Sequence, residues 1–288
     1  MKNKKTTLTF RKKKESKEKI TMLTAYDYPT AKLLDECGVD SILVGDSLGM
    51  VVLGYDDTTK VTMDDMTHHT KAVARGVKNA LVIADMPFLS YHLDINEAVR
   101  NAGKLVQAGA GAVKLEGGKE ILDVIKAITR ANVPVVGHLG LTPQSVHMTG
   151  GFFVQNKTVD TINELIDNAK ALEEAGVFAI VLECVPYTVA KLVTESVNVP
   201  TIGIGAGSDT DGQVLVINDL AGYYHGNTAK FVKQYANIKD DIELGVKKYI
   251  DEVKNKEFPE IKHSFELKKE VSEELKSIGD GDVSIKIY

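Results

Sequence analysis

Short apolar runs alternate along this chain with longer stretches whose apolar positions recur every three to four residues. The short runs read as strands buried on both faces, as in a parallel sheet. They are Ile20–Tyr26, Ser41–Asp46, Ala80–Asp85, Ala112–Glu116, Pro134–His138, Phe178–Glu183, Thr201–Ile204 and Val214–Ile217. The longer stretches read as helices: Tyr28–Cys37, Met63–Arg75, Asp94–Ala108, Lys119–Arg130, Val159–Ala175 and Tyr187–Ser196. Their ends carry helix signals. Gly38, Gly109 and Gly176 follow three of them, where a left-handed residue is favoured. Thr62 precedes Met63, with Asp64 and Asp65 in the first turn, a capping residue followed by favourable charge. Strands alternating with helices make βαβ units and a parallel sheet. Eight of them without a dividing linker predict a (β/α)8 barrel, with a doubly wound sheet as the alternative.

Four of the strand-like runs end in an acid: Asp46, Asp85, Glu116 and Glu183. In a parallel α/β fold those ends form the ligand-binding rim. Carboxylates gathered there repel one another, and a divalent cation would relieve the repulsion, so the pattern points to a metal-assisted enzyme. Each acid also has a plain structural reading: Asp46 and Asp85 as turn formers, Glu116 at a helix N-terminus. Glu183 resists it, because a buried strand rarely ends in an unpartnered Glu. Lys114 lies two residues before Glu116 and shares its side of the strand. His138 ends the fifth strand. Gly203–Gly207 is either a ligand-admitting loop or a tight turn. His68 and His69 read as surface residues and Cys184 as packing. Two long connections, 47–56 and 139–153, follow strand ends and read as functional loops.

Composition narrows the class further. A chain of 288 residues with 43% hydrophobic and 26% charged residues is ordinary for a globular protein. A net charge of −5 gives no reason to expect nucleic acid, and no apolar stretch is long enough to span a membrane. Two cysteines, Cys37 and Cys184, fit a reducing compartment, and a cytoplasmic location is expected. Residues 1–19 form a basic lead-in, read as solvated or as a short helix rather than as a nucleic-acid or membrane arm. The barrel is expected over 20–259, followed by a C-terminal extension, 260–288, with a peripheral helix and a Gly279–Asp282 tail.

Five segments resemble a known family. Val44–Met50 (VGDSLGM), Val113–Gly118 (VKLEGG), Gly137–Ser145 (GHLGLTPQS), Leu182–Pro186 (LECVP) and Ile202–Gly207 (IGIGAG) are together similar to ketopantoate hydroxymethyltransferases. The resemblance runs in order from about Ile20 to Pro259. It implies a (β/α)8 barrel that makes 2-dehydropantoate from 3-methyl-2-oxobutanoate, early in pantothenate and coenzyme A biosynthesis. It also implies Mg2+, 5,10-methylenetetrahydrofolate as donor and a homodecamer. By the same resemblance Asp46, Asp85 and Glu116 match metal positions. Asp46, Ser47, Asp85 and Lys114 match keto-acid contacts and Glu183 matches the proton acceptor. In the chemistry this implies, His138 is expected to hydrogen-bond the substrate or the product hydroxyl. The chain departs from the family at Asn156, where Gly is usual, and slightly around Asn218–Asp219 and Thr228–Phe231. Two rivals share parts of this reading. An isocitrate lyase-type barrel would carry a Lys-Lys-Cys-Gly-His loop, which this chain lacks. A non-catalytic barrel would have little use for all four acids and Lys114.

Overall fold

The computed structural model describes residues 4–224 and 228–279. Eight strands close into a parallel barrel in chain order, β8 pairing with β1. They are β1 (Ile20–Thr24), β2 (Ser41–Val44), β3 (Leu81–Asp85), β4 (Ala112–Glu116), β5 (Val135–Gly140), β6 (Ala179–Glu183), β7 (Thr201–Ile204) and β8 (Gly212–Leu215). The main helices are α1 (Thr7–Ser16), α2 (Tyr28–Cys37), α3 (Met63–Gly76), α4 (Ile95–Gln107), α5 (Leu122–Arg130), α6 (Val159–Ala175), α7 (Tyr187–Ser196), α8 (Ile238–Lys254) and α9 (Lys269–Gly279). The chain divides into two compact units, 1–236 and 237–288. The first carries the barrel.

Helix ends follow the local chemistry. Asp27 accepts a hydrogen bond from Thr30 N at 2.8 Å and Gly38 closes α2 at φ 90°. Thr62 and Asp65 form a reciprocal capping box on α3. Asp94, expected as the first residue of a helix, is the cap of α4. The expected eighth strand is shifted. β8 ends at Leu215 because Ile217 N turns away to Thr24 Oγ1 at 3.0 Å, and Ile217–Leu220 becomes a helical turn.

Strand parity sorts the core into two layers. Val113, Leu115, Ile180 and Leu182 face the surrounding helices. Leu81 and Ile83 of β3, Ala112 of β4, Val136 of β5 and Ala179 and Val181 of β6 fill the barrel. Continuing each inner series by one or two steps reaches Asp85, Lys114 and Glu116, His138 and Glu183. The rim acids are thus the last members of the inward-facing rows.

The N-terminal lead-in is a helix, but its lysines are not simply solvated. Phe10 of α1 is fully buried against the inner core, edge-on to Phe178 at 5.5 Å. Lys5 donates to Gly38 O at 2.8 Å, and Lys13 to Asp40 at 2.8 Å. Lys14 donates to Val199 O and Asp211, both at 2.9 Å. All of these acceptors precede strands, so α1 is clamped across the end of the barrel opposite the rim.

The second unit contains α8, a helix absent from the sequence-based expectation. Its apolar residues Ile242, Val246, Tyr249 and Val253 recur at three- to four-residue spacing, a pattern masked by the dense charge between them. Lys239, Glu243 and Lys247 pair along it. A helix does follow Pro259, as expected: α9. The expected tail lies outside the described residues beyond Gly279. Among the described residues, no helix is long and apolar enough to cross a membrane.

Candidate active site

Asp46, Asp85, Lys114, Glu116, His138 and Glu183 line one cavity of about 670 Å³ at the C-terminal mouth of the barrel. Asp85 and Glu116 are the last residues of their strands, and Asp46 lies just past β2. Asp46 N donates to Asp85 Oδ2 at 3.0 Å. This tight corner needs Gly45, because a Cβ there would meet Ser47 Oγ at 2.7 Å. Ser47 in turn shares a 2.9 Å hydrogen bond with Tyr26 OH.

The charges are arranged in a chain. Lys114 Nζ is 3.1 Å from Asp85 Oδ1 and 3.9 Å from Glu116 Oε1. His138 Nδ1 lies 3.2 Å from Glu116 Oε1 and 3.3 Å from Lys114 Nζ. The ammonium has no lone pair, so the Nδ1–H donates to Glu116 and the Lys114 contact is a repulsive proximity. His138 Nε2 is 3.3 Å from Glu183 Oε2, close enough to pair but poorly aligned for a hydrogen bond. Asp85 Oδ1 likewise lacks an aligned donor. Two buried polar atoms facing the cavity therefore leave bonding capacity for a ligand.

Burial and mutual repulsion set the protonation pattern. Burial, and then the Asp85 charge, push the Asp46 carboxyl well above its ordinary range. Burial also raises Asp85, against the pull of Lys114. Burial opposes the charge on Glu116, but His138 and Lys114 outweigh it and hold this carboxyl low. Burial and Lys114 oppose protonation of His138, yet Glu116 lifts it to about 9. Lys114 is held protonated by Asp85, Glu116 and Asp46 in spite of its burial.

The network includes two residues that sequence reasoning did not select. Gln144 Nε2 donates to Asp46 Oδ2 at 2.7 Å and to Met86 O at 2.9 Å. Its backbone N–H donates to Glu116 Oε2 at 3.0 Å, and its Oε1 accepts from Tyr91 OH at 2.8 Å. Gln144 is buried and bridges two of the rim acids. Its sequence signals were its place in the long loop after β5 and within the family-like segment Gly137–Ser145, neither of which singles out its side chain. Tyr91 had none.

Other expectations are corrected. The glycines of Gly203–Gly207 provide room: a Cβ at Gly205 would meet Phe231 at 2.9 Å and one at Gly207 would meet Tyr187 at 2.4 Å. The loop makes room for these two side chains, and its Ile204 lines the cavity. His68 is exposed, but His69 is half-buried and its Nδ1 contacts Tyr26 O at 2.6 Å, so it is not a surface residue. Cys184 lines the cavity at φ 49°. Burial pushes its thiol up to about 11, so it is no nucleophile at neutral pH. Asn156 sits at φ 56°, a conformation that Gly and Asn tolerate best.

Two buried carboxylates with hard oxygen donors, Asp46 and Asp85, face the cavity. Both oxygens of Glu116 are already engaged by His138 and Gln144. Among the described residues no three acidic, His or Cys side chains converge in metal-ligand geometry. The donor set therefore suits a cation that takes few protein ligands and keeps water, as Mg2+ does.

Known proteins resemble the chain at two levels. Solved structures share the fold. A phosphonopyruvate hydrolase complex with oxalate and Mg++ superposes with a TM-score of 0.58 over 96% of this chain and 98% of that one, at 16% identity. A 2,3-dimethylmalate lyase of the PEP mutase/isocitrate lyase superfamily gives 0.57, covering 95% and 98% at 14% identity. Sequence relatives are much nearer. The 3-methyl-2-oxobutanoate hydroxymethyltransferase of Acetivibrio thermocellus is 60% identical over 96% of this chain and 99% of its own length. That of Enterococcus faecalis is 55% identical over 96% and 100%. Residues 4–261 match the family profile described as Ketopantoate hydroxymethyltransferase. The chain belongs to the ketopantoate hydroxymethyltransferase family.

Proposed function

We infer that the chain performs its family's reaction, hydroxymethyl transfer to 3-methyl-2-oxobutanoate in pantothenate biosynthesis, with Mg2+ and 5,10-methylenetetrahydrofolate. Asp46 and Asp85 would hold the cation, with Glu116 steadying the site from behind. When bound, Mg2+ supplies Lewis-acid polarisation of the ketone and acidifies the neighbouring C–H. The chain's own groups do the rest. Ser47 and Lys114 bind the keto acid beside the two aspartates. Glu183 removes the C3 proton, held in place by His138 through the 3.3 Å contact. His138 is itself anchored on Glu116, so its imidazolium is a fixed donor to substrate or product oxygen.

Lys114 presents a permanent positive charge where the enolate oxygen develops. The C3 carbanion then forms the new C–C bond to the donor's one-carbon unit. Water supplies the hydroxyl group, and tetrahydrofolate and 2-dehydropantoate leave. The observation that carries this reading is the convergence of all six ionisable side chains on one cavity, with Glu183 in contact with His138. The family resemblance further supports a homodecamer, tested by sedimentation velocity, and a cytoplasmic location.

The deciding experiment is turnover of 3-methyl-2-oxobutanoate with methylenetetrahydrofolate, with and without Mg2+. Alongside it, exchange of the C3 proton in deuterated water isolates the enolisation step. Turnover unaffected by EDTA would remove the cation from the scheme.

A further inference from the structure

The network just described occupies one side of the cavity. The other side is apolar: Val181, Ile204, Val214 and Val216 form a wall opposite the aspartates. Above it lie Phe152, from the long loop after β5, and Phe231, whose ring packs over Gly205. A cavity of about 670 Å³ is far larger than a five-carbon keto acid requires, so most of it is left for a second, flat and largely apolar ligand.

Beside Thr228 and Lys230, which also line the cavity, a single carboxylate among the described residues stands on this side. Asp219 lines the cavity from the helical turn Ile217–Leu220. Among the described residues its carboxylate has no hydrogen-bonding or ion-pair partner. Burial alone holds its carboxyl above the ordinary range. On the other side Asp46 is held by Gln144, Asp85 by Lys114 and the Asp46 backbone, and Glu116 by His138 and the Gln144 backbone. Asp219 is thus an acceptor pair in an apolar wall, without a donor among the described residues.

We propose that Asp219, Phe152 and Phe231 form the subsite for the reduced pterin of the folate donor. The inference rests on the reading that a folate carries the one-carbon unit. The chemistry matches at each part. A 2-amino-4-oxopyrimidine ring presents an amino group and a ring N–H side by side, two donors that fit two carboxylate oxygens as a guanidinium does. The flat ring system buries against phenyl faces and aliphatic side chains. The keto acid cannot use this acceptor, since both of its polar ends are themselves acceptors and are drawn to Lys114, the cation and His138.

Calorimetric titration of the full-length protein with tetrahydrofolate tests this, with Mg2+ and 3-methyl-2-oxobutanoate present. Tetrahydrofolate lacks the one-carbon unit, so no reaction follows. Asp219→Asn keeps the shape but replaces one acceptor with a donor facing the ligand's donors. It should weaken tetrahydrofolate binding about tenfold or more, with the keto-acid affinity moving less than about twofold. Phe152→Ala, on an exposed loop position, should weaken it severalfold and serves if Asp219→Asn fails to fold. Wild-type affinity for tetrahydrofolate in either folded variant overturns the subsite, as does equal weakening of both ligands by Asp219→Asn. A wild-type protein that binds the keto acid with Mg2+ but never tetrahydrofolate overturns the folate reading itself, and the subsite with it.

Discussion

The two sides of the barrel mouth are built on opposite terms. From β2 to β5 the rim residues satisfy one another: Asp46 with Gln144, Asp85 with Lys114, Glu116 with His138 and the Gln144 backbone. From β7 to β8 the wall is apolar and its single acid, Asp219, has no partner among the described residues. Glu183, on β6, stands at the boundary, and among the described residues its carboxylate pairs with His138 alone. The contrast teaches a division of labour. Groups that must hold a charge in fixed position are cross-linked by hydrogen bonds, which costs stability but removes reorganisation during reaction. The acid proposed to recognise the second ligand is left open, so that the ligand completes it.

Substitutions at the boundary should break this division most severely. Glu183→Gln keeps the shape and removes the base, and should lower C3 proton exchange by about 100- to 10,000-fold. Binding of Mn2+ and keto acid should persist, as measured by electron paramagnetic resonance and calorimetry. Exchange at the wild-type rate would move the base elsewhere, and loss of Mn2+ binding would make Glu183 a ligand.

Gln144 tests whether the cross-linked side is a positioned unit. Gln144→Glu turns the donor that faces Asp46 into an acceptor. Removing such an outer partner typically costs about 10- to 100-fold in metal affinity. The readout is Mn2+ affinity without substrate, and an unchanged value would make Gln144 a packing residue.

Stability should move the other way at Asp46. Its carboxyl is raised by burial and by Asp85, so its charge destabilises the fold at neutral pH. Asp46→Asn should abolish Mn2+ binding and yet raise Tm in EDTA, by roughly 2–4 °C if about 1 kcal/mol of repulsion is relieved. Asp85 is the poorer choice for this test. Removing one partner of a buried ion pair costs about 3–5 kcal/mol, and Lys114 would be left unpaired. A lowered Tm for Asp46→Asn would show that its hydrogen bond from Gln144 outweighs the repulsion.

The smallest effect is expected at the closed end of the barrel, which has no chemistry to perform. Asp40 is held below its ordinary range: burial opposes its charge, but Lys13, Thr21 and Lys5 outweigh it. Its contribution is therefore present above the unfolded value of about 3.9 and is lost as pH falls through the lower folded value. Asp40→Asn should reduce Tm by a few degrees at pH 7, with the difference from wild type shrinking toward pH 3. A difference independent of pH would assign the loss to packing.

The sequence by itself determined the barrel and most of its chemistry. Strands buried on both faces must be continuous apolar runs, and such runs alternate visibly with amphipathic helices. Parity then carries each inward row to its last member, which is why Asp85, Lys114, Glu116, His138 and Glu183 are legible in the sequence. What the tertiary structure alone decided depends on partners distant in the chain. Gln144 meets Asp46 across 98 positions, and Lys14 meets Asp211 across 197. A glutamine in a loop and a lysine in a charged lead-in look solvated in sequence, because nothing local marks their acceptors. The direction of each pKa shift, and the openness of Asp219 in an apolar wall, likewise exist only once the barrel closes. Closure sets which charges are buried together, and burial is what makes their interactions strong.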